Sequence, residues 1–234
     1  MIKDKGNILI VAAHPDDEIL GLGATMHKII NENNCTVNVV IIGEGITSRS
    51  RNRSIDKWKQ ELQIHKKNIA CAAKLIGYNS INTYGLSDNR FDSIDLLDII
   101  KIIEKNVDDF KPEYIFTHHG GDLNIDHQLT FQSVMTATRP LKPDAVKAII
   151  TFETPSSTEW QAFNHPYLFS PNLFFEISED NMKAKILAME SYEFEKRSYP
   201  HPRSGEALKN RAKYWGNIIS RKYAEAFCLI RYIQ

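Results

Sequence analysis

Asn7-Ile8-Leu9-Ile10-Val11-Ala12-Ala13, followed at once by His14-Pro15-Asp16-Asp17-Glu18, is the stretch from which the rest of the chain can be read. Its first seven residues form a short, almost wholly apolar run, the pattern of a strand buried on both faces of a parallel sheet. The next five place one imidazole and three carboxylates in the turn that follows. Beyond them Ile19, Leu20, Leu22, Met26, Ile29 and Ile30 recur near helical spacing until Asn31-Glu32-Asn33-Asn34, so the strand hands over to a helix through a strongly polar turn.

The same alternation repeats downstream. Residues 37–43 read as a second strand, followed by a polar, arginine-rich loop over 44–56 and a long helix ending near Gly77. A third strand covers 81–84, a helix runs from Ser93 to the Lys111-Pro112 stop, and 114–117 form a fourth strand. After the Gly120-Gly121 loop come a helix over about 127–138 and a fifth strand over 148–152. Strands alternating with helices imply crossover units and a doubly wound, mainly parallel α/β sheet with helices on both faces, Rossmann-like in layout. Past Thr154 the pattern is interrupted by Pro155, Pro166 and Pro171. Residues 173–177 read as a strand, and 180–192 and 206–223 as helices. No linker appears, so 1–234 read as a single domain in which 155–234 cover the sheet.

Composition narrows the function. Lys plus Arg number 29 and Asp plus Glu 29, a formal net charge of zero, which argues against a nucleic-acid binder and against a polybasic membrane anchor. With 42% hydrophobic and 25% charged residues the chain is an ordinary globular one. The start lacks the apolar stretch of a signal peptide, and no later run nears the roughly 20 residues that span a bilayer. A soluble, cytoplasmic protein without membrane insertion is expected. Cys35, Cys71 and Cys228 read as reduced, buried small hydrophobes, and Trp58, Trp160 and Trp215 as packing residues.

The turn 14–18 is where chemistry concentrates. Carboxylates at a helix N-terminus suit the helix dipole, but that leaves His14 unexplained. A histidine and a carboxylate three residues apart across a tight turn can face one cation, and imidazole with carboxylate suits zinc or another divalent first-row ion. A third ligand would come from the segment after strand four, among His118, His119, Asp122, Asp126 and His127. In the usual order 3-2-1-4, strands one and four are neighbours at the topological switch, where ligands bind. Gly21 and Gly23 lie too far into the helix for a dinucleotide site, and its first turn carries carboxylates where a pyrophosphate needs bare amides.

His14-Pro15-Asp16-Asp17-Glu18 together with Asp126-His127 resembles the PIG-L/LmbE family of zinc-dependent N-acetyl-sugar deacetylases. Five specified consecutive residues arise by chance in a chain of this length with odds on the order of one in ten thousand, at about 5% per residue. The resemblance extends to Gly43-Glu44-Gly45-Ile46-Thr47-Ser48-Arg49, Asp88-Asn89-Arg90-Phe91-Asp92, Pro200-His201-Pro202-Arg203 and Ala224-Glu225-Ala226-Phe227.

What it implies can be placed residue by residue. His14, Asp17 and His127 would ligate zinc, Asp16 would be the general base, and Asp126 would orient an imidazole. The reaction implied is hydrolytic removal of acetyl from an N-acetylated sugar or sugar conjugate, of which N-acetylglucosamine is the simplest, by water activated on the metal. Arg49, Asp88, Asn89, Arg90, His119 and His201 are the candidate substrate-binding residues. Homo-oligomerisation stays open. One departure stands out: the family often has histidine where this chain has Asn124, and His118, His119 or His201 are the candidates to replace its charge. Two other readings compete. The same two histidines and carboxylate are the ligand set of non-haem iron oxygenases, and an inactive sugar-binding relative is the non-enzymatic reading.

Overall fold

The computed structural model describes residues 2–141 and 146–234. Its elements are β1 (Asn7–Ala12), α1 (Asp17–Leu20), α2 (Gly23–Asn33), β2 (Thr36–Gly43), α3 (Lys59–Ile76), β3 (Ser80–Leu86), α4 (Leu96–Phe110), β4 (Tyr114–His118), α5 (Ile125–Ala137), β5 (Ala148–Phe152), β6 (Leu173–Glu176), α6 (Glu179–Glu190), α7 (Gly205–Ile218) and β7 (Ala224–Tyr232). They build one seven-stranded sheet in the order β3-β2-β1-β4-β5-β7-β6. The first five strands run parallel and in the order expected, with Ile10 of β1 registered against Val39 of β2 and Phe116 of β4. β7 pairs antiparallel with both β5 and β6.

Alternation along each central strand divides its side chains between two cores. Ile8, Ile10, Val37, Val39, Tyr114 and Phe116 face one side, beneath α1, α2, α3, α6 and α7. Leu9, Val11, Val40, Ile42 and Ile115 face the other, beneath α4 and α5. Both faces of β1 and β4 are dry, which is why these strands read as unbroken apolar runs. On α4 the buried Ile99, Ile100 and Ile103 form the inward stripe, each worth roughly 1.5–3 kcal/mol of burial.

Three features differ from the sequence reading. The first helix is two, because the backbone leaves helical geometry at Leu22 (φ −150°, ψ 11°), next to Gly21, which packs so tightly on β5 that a Cβ there would sit 2.2 Å from Phe152 Cδ2. Residues 155–234 do more than lie over the sheet, since β6 and β7 extend it. β7 has no strand pattern in the sequence: its alternation is masked by the buried Glu225, which accepts from the Thr25 amide and pairs with Lys185. Finally, Cys35 and Cys228 are buried but Cys71 is exposed on α3, where Ser191 Oγ donates to its sulfur. Among the described residues no helix is long and apolar enough to cross a membrane.

Candidate active site

β1 and β4 lie side by side in parallel, so the turn after Ala12 and the loop after His118 leave the same edge of the sheet. There they bring three imidazoles and a ring of carboxylates together, all of them buried.

Asp17 is the centre. Its Oδ2 accepts from the His14 amide at 2.8 Å and lies 3.4 Å from His14 Nδ1, His118 Nε2 and His127 Nε2 alike. Burial opposes its charge, but the positive charge and hydrogen bond of His127 outweigh that and hold its pKa well below the usual carboxylate range. Each of two imidazoles then turns its other nitrogen to a second carboxylate. His14 Nε2 is 2.9 Å from Asp126 Oδ2 and 3.4 Å from Asp88 Oδ1, and His127 Nδ1 is 3.1 Å from Asp122 Oδ1. Burial works against protonating either ring. These carboxylates outweigh it, raising His14 well above its ordinary pKa and His127 to about 9. The carboxylates thus stabilise positive charge on both of these imidazoles.

His118 belongs to the cluster in a different way. Its ring stacks on His127 with centroids 3.9 Å apart, and its Nε2 accepts the Ala13 amide proton at 2.9 Å, leaving Nδ1 to donate to Thr154 Oγ1 at 3.1 Å. That tautomer is neutral, in keeping with burial pushing its pKa down to about 4. With its one lone pair committed to Ala13, His118 has none for a metal. The donor atoms of His14, Asp17 and His127 lie within 4.8 Å of one another, and a second grouping of His14, Asp88 and Asp126 does so as well.

Asp16 is held apart from this ring. Its backbone is left-handed (φ 100°), which turns it away from its neighbour Asp17, and its Oδ2 lies 3.1 Å from Arg203 Nη1. Burial raises its pKa well above the usual value, with the charges of Asp17, Glu195 and Glu18 adding to the effect and Arg203 opposing it. Glu18 is fully buried, accepts from the Tyr192 hydroxyl, and is lifted by burial to about 7.

The candidate substrate residues fall into two groups. Asp88 reaches His14, and Asn89 is braced by Asn124 Nδ2 at 2.8 Å. Arg90 follows them in the same loop. The others are engaged elsewhere. Arg49 pairs with Glu195, His201 Nδ1 accepts the Arg203 amide at 3.2 Å, and His119 packs on Tyr167 and Phe169 with Nε2 3.1 Å from the Tyr167 carbonyl. Asn124 is the N-cap of α5, accepting the Asp126 amide at 2.8 Å, so it serves the loop that presents Asp126 and His127. Of the tryptophans, Trp58 and Trp215 donate to Ser50 and Glu153, while Trp160 is half exposed and stands edge-on to His201.

Two parts of this site go beyond the sequence reading. Asp122 was one of several candidate ligands, yet it sits behind His127, where the Ser157 and Thr158 hydroxyls and the Asn124 amide donate to it. Burial alone would raise its pKa; His127 and those hydroxyls bring it down to about 2. Arg203 and Glu195 come from the far end of the chain, and only the quoted Pro200-His201-Pro202-Arg203 segment pointed near them.

Residues 9–138 match PIG-L, the GlcNAc-PI de-N-acetylase family. Over 195 residues the chain is 25% identical to the uncharacterized deacetylase YaiS of Escherichia coli K12, covering 81% of this chain and 91% of that protein. It superposes on the N,N'-diacetylchitobiose deacetylase of Pyrococcus horikoshii with a TM-score of 0.74 at 19% identity, over 97% of this chain and 84% of the other. It superposes equally well on the 4-carboxy-2-hydroxymuconate hydratase GalB of Pseudomonas putida KT2440, at TM-score 0.73 and 17% identity over 98% of each. At such identities the structural likeness establishes the fold, and one fold serves several reactions.

Proposed function

The chain belongs to the GlcNAc-PI de-N-acetylase family, and from that premise we propose that it is a metal-dependent hydrolase removing acetyl from an N-acetylated sugar or sugar conjugate. The observation that carries this reading is the division of labour between consecutive carboxylates. Asp17 is surrounded by imidazoles and kept ionised; Asp16 is turned away from them, buried, and shifted upward.

The donor set fits a divalent first-row ion, zinc above all. His14 Nδ1, Asp17 Oδ2 and His127 Nε2 converge, and each imidazole has its remaining nitrogen fixed by a carboxylate, Asp126 for His14 and Asp122 for His127. Bound there, such an ion would polarise the acetamide carbonyl and lower the pKa of water to about 7. Asp16 then accepts the proton of the attacking water and returns it to the amine nitrogen as the C–N bond breaks, giving amine and acetate. A base with a raised pKa is suited to both transfers. Arg203 pairs with the Asp16 carboxylate, and Asp88 and Asn89, on the loop whose Asp88 reaches His14, would contact the sugar. Family membership favours hydrolysis over the oxygen chemistry that the same three ligands also support.

The deciding experiment is metal analysis of the purified chain combined with an amine-release screen over N-acetylated sugars. Zinc in stoichiometric amount and equal yields of amine and acetate are expected. Turnover that needs iron and dioxygen, or hydration without amine release, would replace this reading.

A further inference from the structure

Four arginines stand at the carboxyl edge of β2 and β3, and two of them are already engaged. Arg53 pairs with the buried Glu44 (Nη2 to Oε2, 2.9 Å) and Arg49 with the buried Glu195. Arg51 is exposed and Arg90 half-buried, and among the described residues neither makes an ion pair. Arg90 instead donates Nη2 to the Arg51 carbonyl at 3.3 Å, which seats one guanidinium on the main chain of a second arginine. Asp92, the next acid along this loop, joins neither. The chain as a whole carries no net charge, so this local excess of cations is not part of a general basic field. Among the described residues neither guanidinium has a carboxylate to pair with, and their forked donors match the oxygens of a phosphate.

Their position relates them to the chemistry. Arg90 follows Asp88 and Asn89; Asp88 Oδ1 is 3.4 Å from His14 Nε2, and Asn89, itself left-handed (φ 52°), is held by Asn124. Arg90 thus stands two residues along the same loop from the carboxylate that reaches His14, with the Arg51 main chain against it. In a 2-acetamido sugar the anomeric oxygen is separated from the acetamide nitrogen by only two ring carbons.

We infer that Arg51 and Arg90 form a phosphate subsite, and that the substrate is a 2-acetamido sugar bearing a phosphoryl group on its anomeric oxygen, an inference that rests on the deacetylase reading above. Arg49 and Arg53 are excluded from direct contact by their carboxylates.

Calorimetric titration of the full chain with N-acetylglucosamine, N-acetylglucosamine 1-phosphate and uridine diphosphate N-acetylglucosamine tests this. The phosphorylated ligands should bind at least roughly tenfold more tightly than the free sugar, as one or two charge-assisted hydrogen bonds allow. Arg51→Ala and Arg90→Ala should each remove roughly tenfold of that preference, and the lysine variants should keep part of it. Arg139→Ala, beyond the opposite end of α5, should keep all of it. Equal gain from the two phosphorylated ligands means that one phosphate is read; a further gain with the nucleotide-linked sugar means that both are. Equal affinity for all three ligands, or a preference that survives Arg51→Ala/Arg90→Ala, overturns the subsite. Binding is read without turnover, so absence of amine release would overturn the deacetylase reading and leave this measurement independent.

Discussion

Arg203 Nη1 stands 3.1 Å from Asp16 Oδ2, joining the segment ahead of α7 to the turn after β1. The same nitrogen is 2.6 Å from Glu195 Oε2, and Arg203 Nε donates to Ser156 Oγ at 2.8 Å. A guanidinium from outside the family-matched residues 9–138 thus completes the surroundings of the proposed base.

Arg203→Ala should leave Asp16 buried among Asp17, Glu18 and Glu195 without its cation. The carboxylate then loses its orientation, and misplacement of a reacting group by about 1 Å can cost 10²-fold. We expect kcat to fall roughly 10–100-fold with bound metal unchanged, and Arg203→Lys to recover part of the loss. Wild-type kcat in the alanine variant would remove Arg203 from the site.

Asp122→Asn removes the charge that holds His127 Nδ1 but keeps the shape of the side chain. Metal affinity, measured by competition with a chelator, should weaken roughly 10–100-fold, the usual penalty for losing a carboxylate behind a ligating histidine. Ser157→Ala should act in the same direction and less strongly, since it loosens Asp122 at one further remove. Undiminished affinity in Asp122→Asn would show that His127 needs no such support.

The parts of the fold that were legible are those whose environment is uniform. β1, β2, β4 and β5 are apolar on both faces, so their runs announce a parallel sheet without any knowledge of partners. β7 is antiparallel at one side of that sheet and carries Glu225 inside, neutralised by Lys185 from α6, and no local pattern encodes such a pairing. In the site, His14, Asp16 and Asp17 were legible because one turn carries them, and Asp126 and His127 because a second turn does. Arg203, Glu195, Ser157 and Thr158 were not, because their contacts are made across the fold by single side chains with ordinary neighbours in sequence. The alternation in strand four separated His118 from His119, but which of them faces Asp17 became evident only from the fold.

His65 on α3 offers a test of acid stability away from the ligands. It is 2% exposed, neither ring nitrogen has a hydrogen-bond partner among the described residues, and it packs on the rings of Tyr192 and Phe194. Burial, aided by the charge of Arg49, pushes its pKa down to about 4. Because the folded pKa lies below the ordinary 6.5, the neutral ring favours the fold above about pH 6.5, and that contribution is lost as pH falls towards 4. At pH 5 the loss is about 2 kcal/mol. Urea unfolding of His65→Phe should therefore show a drop in stability between pH 7 and pH 5 that is smaller by about that amount. An identical drop in both proteins would assign it to other groups.

Asp16 and Asp17 are adjacent in sequence and have the same side chain, so their asparagine variants separate the proposed roles. Asp16→Asn keeps the side chain's size and most of its contacts but abolishes the proton acceptor, so zinc should remain bound while turnover falls roughly 10²–10⁴-fold. Asp17→Asn weakens an oxygen donor that three imidazoles surround. Its metal affinity should fall, and because occupancy then limits activity, added zinc should restore part of the rate. The same addition should do nothing for Asp16→Asn, whose metal is already in place. Loss of zinc from Asp16→Asn would make Asp16 a ligand rather than a base. Near-normal turnover in that variant on a confirmed substrate would pass the proton transfer to another group, of which Glu18, buried two residues away with its pKa lifted to about 7, is the nearest candidate.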